Sequence, residues 1–232
     1  MRAFKRLHAA ACGFAAVLLL TFAGGCSSGG HTTDFGDNDP DIVVALGDSI
    51  TFGKHDGGIE ACGSLYRGKL GFTPRLEGLT GKTVINEGVC GEKSSGGRER
   101  VYGVLQRWRP AVLLIDYSPN DIVDGPNETI ANLRTMIAAA RSNKTVPILG
   151  TLVPAVGDHD AWESFIEAVN IKILALCDQE GISCADHHQA FMDYPGFREN
   201  PYTLLDNDGL HPNAAGYEVM AETWRDPLMR QY

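Results

Sequence analysis

One pattern constrains this chain more than any other. Short, nearly continuous apolar runs alternate with stretches of helical spacing. The runs cover residues 42–46, 83–86, 111–115, 146–152 and 182–185. Runs this short and this apolar suit strands buried on both faces, as in parallel sheets. Between them, Val101, Leu105 and Trp108 share one helical face, and so do Ile130, Leu133 and Ile137. Trp162, Phe165, Ile166, Val169, Ile173 and Leu176 hold a face for four turns, and Tyr217, Met220, Ala221 and Trp224 mark a last helix. Asp160 and Glu163 stand where they would cap the four-turn helix. Strand–helix alternation over one domain length predicts a single α/β domain with a parallel sheet and helices on both sides.

The first forty residues do not share this pattern. Arg2, Lys5 and Arg6 precede a short apolar stretch over residues 9–22, then Ala23-Gly24-Gly25-Cys26. Basic residues, an apolar segment and small residues in that order read as an export signal. The final four residues resemble a bacterial lipobox, in which cleavage leaves Cys26 as a lipid-bearing N-terminus; Ala23 stands where Leu is usual. Residues 1–25 are thus expected to be a lipoprotein signal peptide. Residues 26–40, rich in Ser, Gly, Asp and Asn, read as a flexible tether, and residues 41–232 as the folded domain. The protein is expected to be exported and membrane-anchored, facing the periplasm or the cell exterior. No apolar run reaches the eighteen residues of a membrane span. The formal net charge is −9, and loss of three basic residues with the signal makes it more negative. That excludes a nucleic-acid partner held by phosphate neutralisation, and leaves membrane attachment to the lipid on Cys26. Oligomeric state is not legible in the sequence.

Of six cysteines, Cys12 goes with the signal and Cys26 carries the lipid. Cys62, Cys90, Cys177 and Cys184 remain, in a compartment where disulfides persist. Four cysteines allow three pairings. Proximity suggests Cys177 with Cys184, leaving Cys62 with Cys90. Their spacing does not match a zinc site, so no metal is expected.

In open α/β sheets, function sits at the carboxyl ends of the strands. After the first strand comes Gly47-Asp48-Ser49, with a hydroxyl on a sharp turn into a helix. After the second comes the segment from Asn86 to Gly91, whose glycines permit close backbone approach. After the third comes Ser118-Pro119-Asn120-Asp121, where the Asn amide suits donation to an oxyanion. Before the last helix comes Asp208-Gly209-Leu210-His211, an acid three residues from an imidazole it can orient. Asp206 is a rival acid. His55 lies near Ser49 in sequence but has no acid at comparable spacing. The pair His187-His188 reads as a surface or loop pair, since adjacent side chains point apart. Asp158-His159-Asp160 follows the fourth strand, at the edge of a cleft or at a helix start.

Taken together, these four blocks resemble those of the SGNH hydrolases, the GDSL esterase/lipase family. Ser118 replaces the Gly usual in the third block. The resemblance implies a three-layer α/β/α sandwich around a flavodoxin-like five-stranded parallel sheet in the order 2-1-3-4-5. It implies a Ser49, His211, Asp208 triad, and an oxyanion hole from the backbone N–H groups of Ser49 and Gly91 with the Asn120 amide. The implied activity is hydrolysis of small esters of short-acyl or lysolipid type, with no cofactor. Alternatives are carbohydrate O-acetyl ester hydrolysis, acyl transfer, or a non-catalytic binding lipoprotein on the same fold.

Overall fold

The computed structural model describes residues 33–117 and 119–232. The signal peptide, Cys26 and the start of the tether lie outside the described residues, as does Ser118. Strands β1 (Asp39–Gly47), β2 (Thr83–Gly88), β3 (Pro110–Asp116), β4 (Val146–Gly150) and β5 (Cys184–Ala185) form one sheet. Every pairing is parallel and the order is β2-β1-β3-β4-β5, as the sequence implied. The helices are α1 (Ser49–Phe52), α2 (Phe72–Thr80), α3 (Ser94–Trp108), α4 (Pro126–Ser142), α5 (Glu163–Glu180), α6 (His187–Met192) and α7 (Ala214–Met229).

Period-two alternation along the strands divides the core into two layers. Val44, Leu46, Leu113 and Ile115 face α3, α4 and α5. Val43, Ala45, Val112 and Leu114 face α2, α6 and α7. The second layer closes on Trp224, fully buried, with Phe72 and Tyr217 beside it. Helix α2 gave little signal in the sequence. It has nine residues with a Pro and a Gly among them, and its buried apolar face is Phe72 and Leu76.

Three expectations shift. Helix α5 begins at Glu163, after a 3-10 turn over Gly157–Trp162, and has no side-chain cap. Asp160 does not cap it. Glu163 accepts instead from the Ala155 backbone N–H at 2.8 Å and pairs with His188 Nε2 at 3.0 Å. His187, adjacent, turns into the core edge-on to Trp224, 4.8 Å between ring centroids. Burial pushes its pKa down to about 3, so the ring is neutral. The tether, expected to be flexible to Pro40, is held from Asp34 onward. Lys144 Nζ lies 3.0 Å from Asp34, Phe35 packs on Tyr232, and Asn38 donates to the Asn143 carbonyl at 2.7 Å. Phe35, the one large apolar residue of that segment, finds an aromatic partner, and β1 starts two residues before the expected boundary. Cys62 is bonded to Cys90, and Cys177 to Cys184.

Candidate active site

The register lines up three chain segments at the carboxyl end of the sheet. Gly47 of β1 sits beside Gly88 of β2 and Asp116 of β3. The residues that follow these three positions therefore emerge side by side. There is no room at Gly47 for a side chain, because a Cβ would lie 2.1 Å from the Asp116 carbonyl oxygen and from Thr51 Oγ1. The chain turns at once into α1. Asp48 caps that turn, its carboxylate accepting from the Ile50 N–H at 3.0 Å. Ser49 thus stands at the first position of the helix, buried to 7% exposure.

Asn120 sits in the 3-10 turn Pro119–Asp121 that follows β3. Its amide donates to Asp48 Oδ2 at 3.2 Å and to the Glu92 carbonyl at 3.1 Å. It therefore joins the residue before Ser49 to the residue after Gly91. Two further contacts fix these loops. Glu92 is gripped by both Nε and an NH2 of Arg100, at 2.9 and 2.7 Å, and accepts from the Tyr117 hydroxyl at 2.8 Å. Asp121 accepts from the Ser94 backbone and hydroxyl and from the Thr129 hydroxyl. Gly91 is exposed and left-handed, φ +73°, with open space around it. Among the described residues, no partner accepts from the backbone N–H of Ser49 or Gly91.

The loop before α7 supplies the acid and the imidazole. Asp208 Oδ1 accepts from the backbone N–H groups of Leu210 and His211, each at 3.0 Å. Its Oδ2 meets His211 Nδ1 at 2.5 Å. His211 Nε2 then lies 2.9 Å from Ser49 Oγ, across 162 residues of sequence. Gly209 makes the turn at φ +70°; a Cβ there would sit 2.2 Å from the Val156 carbonyl oxygen. Burial pushes the Asp208 carboxyl up, but the hydrogen bonds from the His211 ring and from the two backbone N–H groups outweigh it. The carboxyl is held well below the usual range. Burial lowers the His211 pKa, and the Asp208 contact offsets only part of that. At neutral pH the pair is a carboxylate beside a neutral imidazole, which suits the imidazole to accept a proton.

The structure separates the two rival acids. Asp208 serves His211, while Asp206 pairs with His55 Nδ1. The sequence offered His55 no acid at the Asp-x-x-His spacing, because its partner is 151 residues away. His159 lies beside the same loop, its Nδ1 at 2.8 Å from the Asp208 carbonyl. A further acid, Asp116 at the end of β3, is buried beside Gly47 and Thr51. Burial and the neighbouring Asp48 charge push its pKa up to about 8, and Thr51 Oγ1 lies 3.4 Å from its Oδ2.

Two concave surfaces lie near these loops. One, of about 580 Å³, runs along the β2 edge between Arg67, Glu87, Val89, Arg100 and Trp108. The other, of about 320 Å³, is mostly apolar, lined by Pro154, Ala155, Val156, Met192, Phe197 and Pro201. Val156 donates its N–H to the Gly209 carbonyl at 2.8 Å, which joins the second surface to the Asp208 loop.

A parallel α/β/α sandwich carries a serine, an imidazole and a carboxylate in line at one end of its sheet. The GDSL-like lipase/acylhydrolase family matches residues 45–219, and this chain belongs to it. Esterase TesA of Pseudomonas aeruginosa is 27% identical over 142 residues, 60% of this chain and 66% of that protein, just under two thirds of its length. The lipase/acylhydrolase of Enterococcus faecalis shares the fold with a TM-score of 0.65 at 24% identity, over 79% of this chain and 93% of the other. An acetyl-xylooligosaccharide esterase from Geobacillus shares it with a TM-score of 0.62 at 19% identity, over 82% and 95%.

Proposed function

We propose that this protein hydrolyses small esters of short-acyl or lysolipid type in two steps through Ser49, His211 and Asp208. The observation that carries the reading is the 2.9 Å contact between Ser49 Oγ and His211 Nε2, with Asp208 bound to the far side of the ring. A serine hydroxyl is a weak nucleophile at neutral pH and needs an adjacent base. His211 takes the hydroxyl proton as Oγ bonds to the ester carbonyl carbon. The carbonyl oxygen gains the negative charge. The backbone N–H groups of Ser49 and Gly91 receive it, joined by the Asn120 amide once one of its two N–H groups leaves Asp48 or the Glu92 carbonyl. The tetrahedral intermediate collapses as His211 gives its proton to the departing alkoxide, leaving an acyl-Ser49 ester. Water, deprotonated by His211, attacks that ester, and the acid and free serine result. Asp208 stays ionised and holds the ring in the tautomer with hydrogen on Nδ1.

Ser49→Ala should abolish hydrolysis of p-nitrophenyl acetate and labelling by a fluorophosphonate probe; an S49A variant at full rate overturns the assignment. Asn120→Ala should lower kcat by about 10²–10³ with KM little changed if the amide meets the oxyanion. Absence of fluorophosphonate labelling in the unaltered protein would instead favour a non-catalytic binding lipoprotein.

Carbohydrate O-acetyl esters are a second reading. The charged cleft with Trp108 at its side favours a polar, hydroxyl-rich leaving group. A chain-length series of acyl esters, run beside acetylated xylo-oligosaccharides, distinguishes the two by which kcat/KM is highest.

A further inference from the structure

Behind the Asp208–His211 pair lies a second imidazole and carboxylate that the triad does not use. His55 follows α1 in a tight loop held from several sides. Its backbone N–H donates to the Ile59 carbonyl at 2.8 Å, and the Lys54 carbonyl accepts from the Tyr217 hydroxyl at 2.7 Å. Next to it, Asp56 is bound by the Gly71 N–H and by Arg75 of α2. His55 has φ +69°, in the left-handed region that few residues with a side chain occupy. Conformations of that kind persist where the surroundings over-determine them.

The surroundings here are two carboxylates and a ring. His55 Nδ1 meets Asp206 Oδ2, and its Nε2 lies 3.4 Å from Asp208 Oδ2, the same oxygen that holds His211 Nδ1. The rings of His55 and His211 stack, with centroids 4.9 Å apart and planes 23° from parallel. His55 is buried to 9% exposure. Asp206 is itself tied to the His211 segment, its N–H donating to the His211 carbonyl at 2.8 Å. The charged and titratable groups facing His55 are Asp206, Asp208 and His211 from the loop before α7. Lys54 and Asp56 belong to its own loop, and Arg75 from α2 engages Asp56.

We infer that His55 is a positioning residue for the reaction, held by Asp206 and acting on Asp208 and His211. The stacked ring blocks rotation of His211 away from Ser49. The Nε2 side competes for Asp208 Oδ2, so Asp208 does not over-stabilise the imidazolium that must return its proton to the leaving group. His55 and Lys54 both disfavour charge on His211. The inference rests on the Ser49–His211–Asp208 reading and adds to it a second layer that the four sequence blocks do not contain.

The test uses the whole exported protein with p-nitrophenyl acetate. His55→Asn keeps a residue that tolerates the left-handed backbone; Asp206→Asn keeps shape and removes charge. Each variant should lower kcat, H55N by roughly tenfold as for other residues that orient a working histidine, with KM unchanged. The acid limb of kcat/KM should move to higher pH in both, less in D206N. The H55N/D206N double variant should match H55N alone, since Asp206 acts through His55. Wild-type kcat and acid limb in D206N, with or without a foldable H55N, overturns the inference. So does a D206N effect that persists undiminished beside H55N, or a change in KM alone. S49A run in parallel separates the two readings. An active S49A removes both, while an inactive S49A beside unaffected H55N and D206N removes only this one.

Discussion

At the residue scale, protonation states decide what the site does. His211 is buried and its pKa lies below the ordinary imidazole value. The imidazole must be neutral to accept the Ser49 proton, so activity is lost only as pH falls through that lowered value. The acid limb of kcat/KM should therefore have its midpoint below about 6.5, the unperturbed value; a midpoint above it contradicts the electrostatic account. Asp116 behaves oppositely. In the unfolded chain its proton leaves near pH 4, while in the fold it is retained to about 8. Between those values the folded state binds one more proton, so stability falls as pH rises. Relative to Asp116→Asn, the unaltered protein should lose up to about 1.4 kcal/mol per pH unit across that window. Urea unfolding of both at pH 5, 6 and 7 measures the difference, and parallel curves would refute it.

At the element scale, short loops hold the site because rigid elements flank them. The loop carrying Gly91 is tied at Cys90 to Cys62, closing 28 residues, whereas Cys177–Cys184 closes only 7 between α5 and β5. In the chain-entropy model the longer bridge contributes about 3–4 kcal/mol and the shorter about 2 kcal/mol. Replacing both Cys62 and Cys90 by Ser should thus lower the unfolding midpoint more than replacing Cys177 and Cys184. It should also lower kcat, because Gly91 sits next to the bridge. An equal loss of stability with unchanged kcat would show that the bridge does not govern the site. The helices legible in the sequence were those with three or more apolar residues in register, such as α5. Helix α2, carried by Phe72 and Leu76, and α6, whose buried face is His187 and Phe191, were not. Their pattern is too short to rise above the loops around them. Glu163 illustrates a related gap. It stands where a cap is expected, yet a nearby loop N–H and His188 offer it better partners.

At the scale of the whole molecule, the described residues contain no helix long and apolar enough to cross a membrane. We propose that lipid on Cys26 retains the domain at a membrane surface, its acidic charge offering little attraction to anionic lipid. Cys26→Ser should move the protein from the membrane fraction to the soluble exported fraction without altering its kcat on p-nitrophenyl acetate. Retention of the C26S variant in washed membranes would refute the anchor. The tether between that anchor and the domain is shorter than composition suggests, because residues from Asp34 are docked.

The amino-acid sequence by itself determined the layer architecture, the strand order through its resemblance to a known family, and which four segments meet at the sheet end. These depend on periodicity and on residues within a few positions of each other, such as Asp208 and His211. Only the tertiary structure joined Asp206 to His55 and drew Asn120 to Asp48 and Glu92. Those contacts link residues tens to more than a hundred positions apart. Their pairing follows from the paths that packed helices and strands impose on the loops, which no local spacing records.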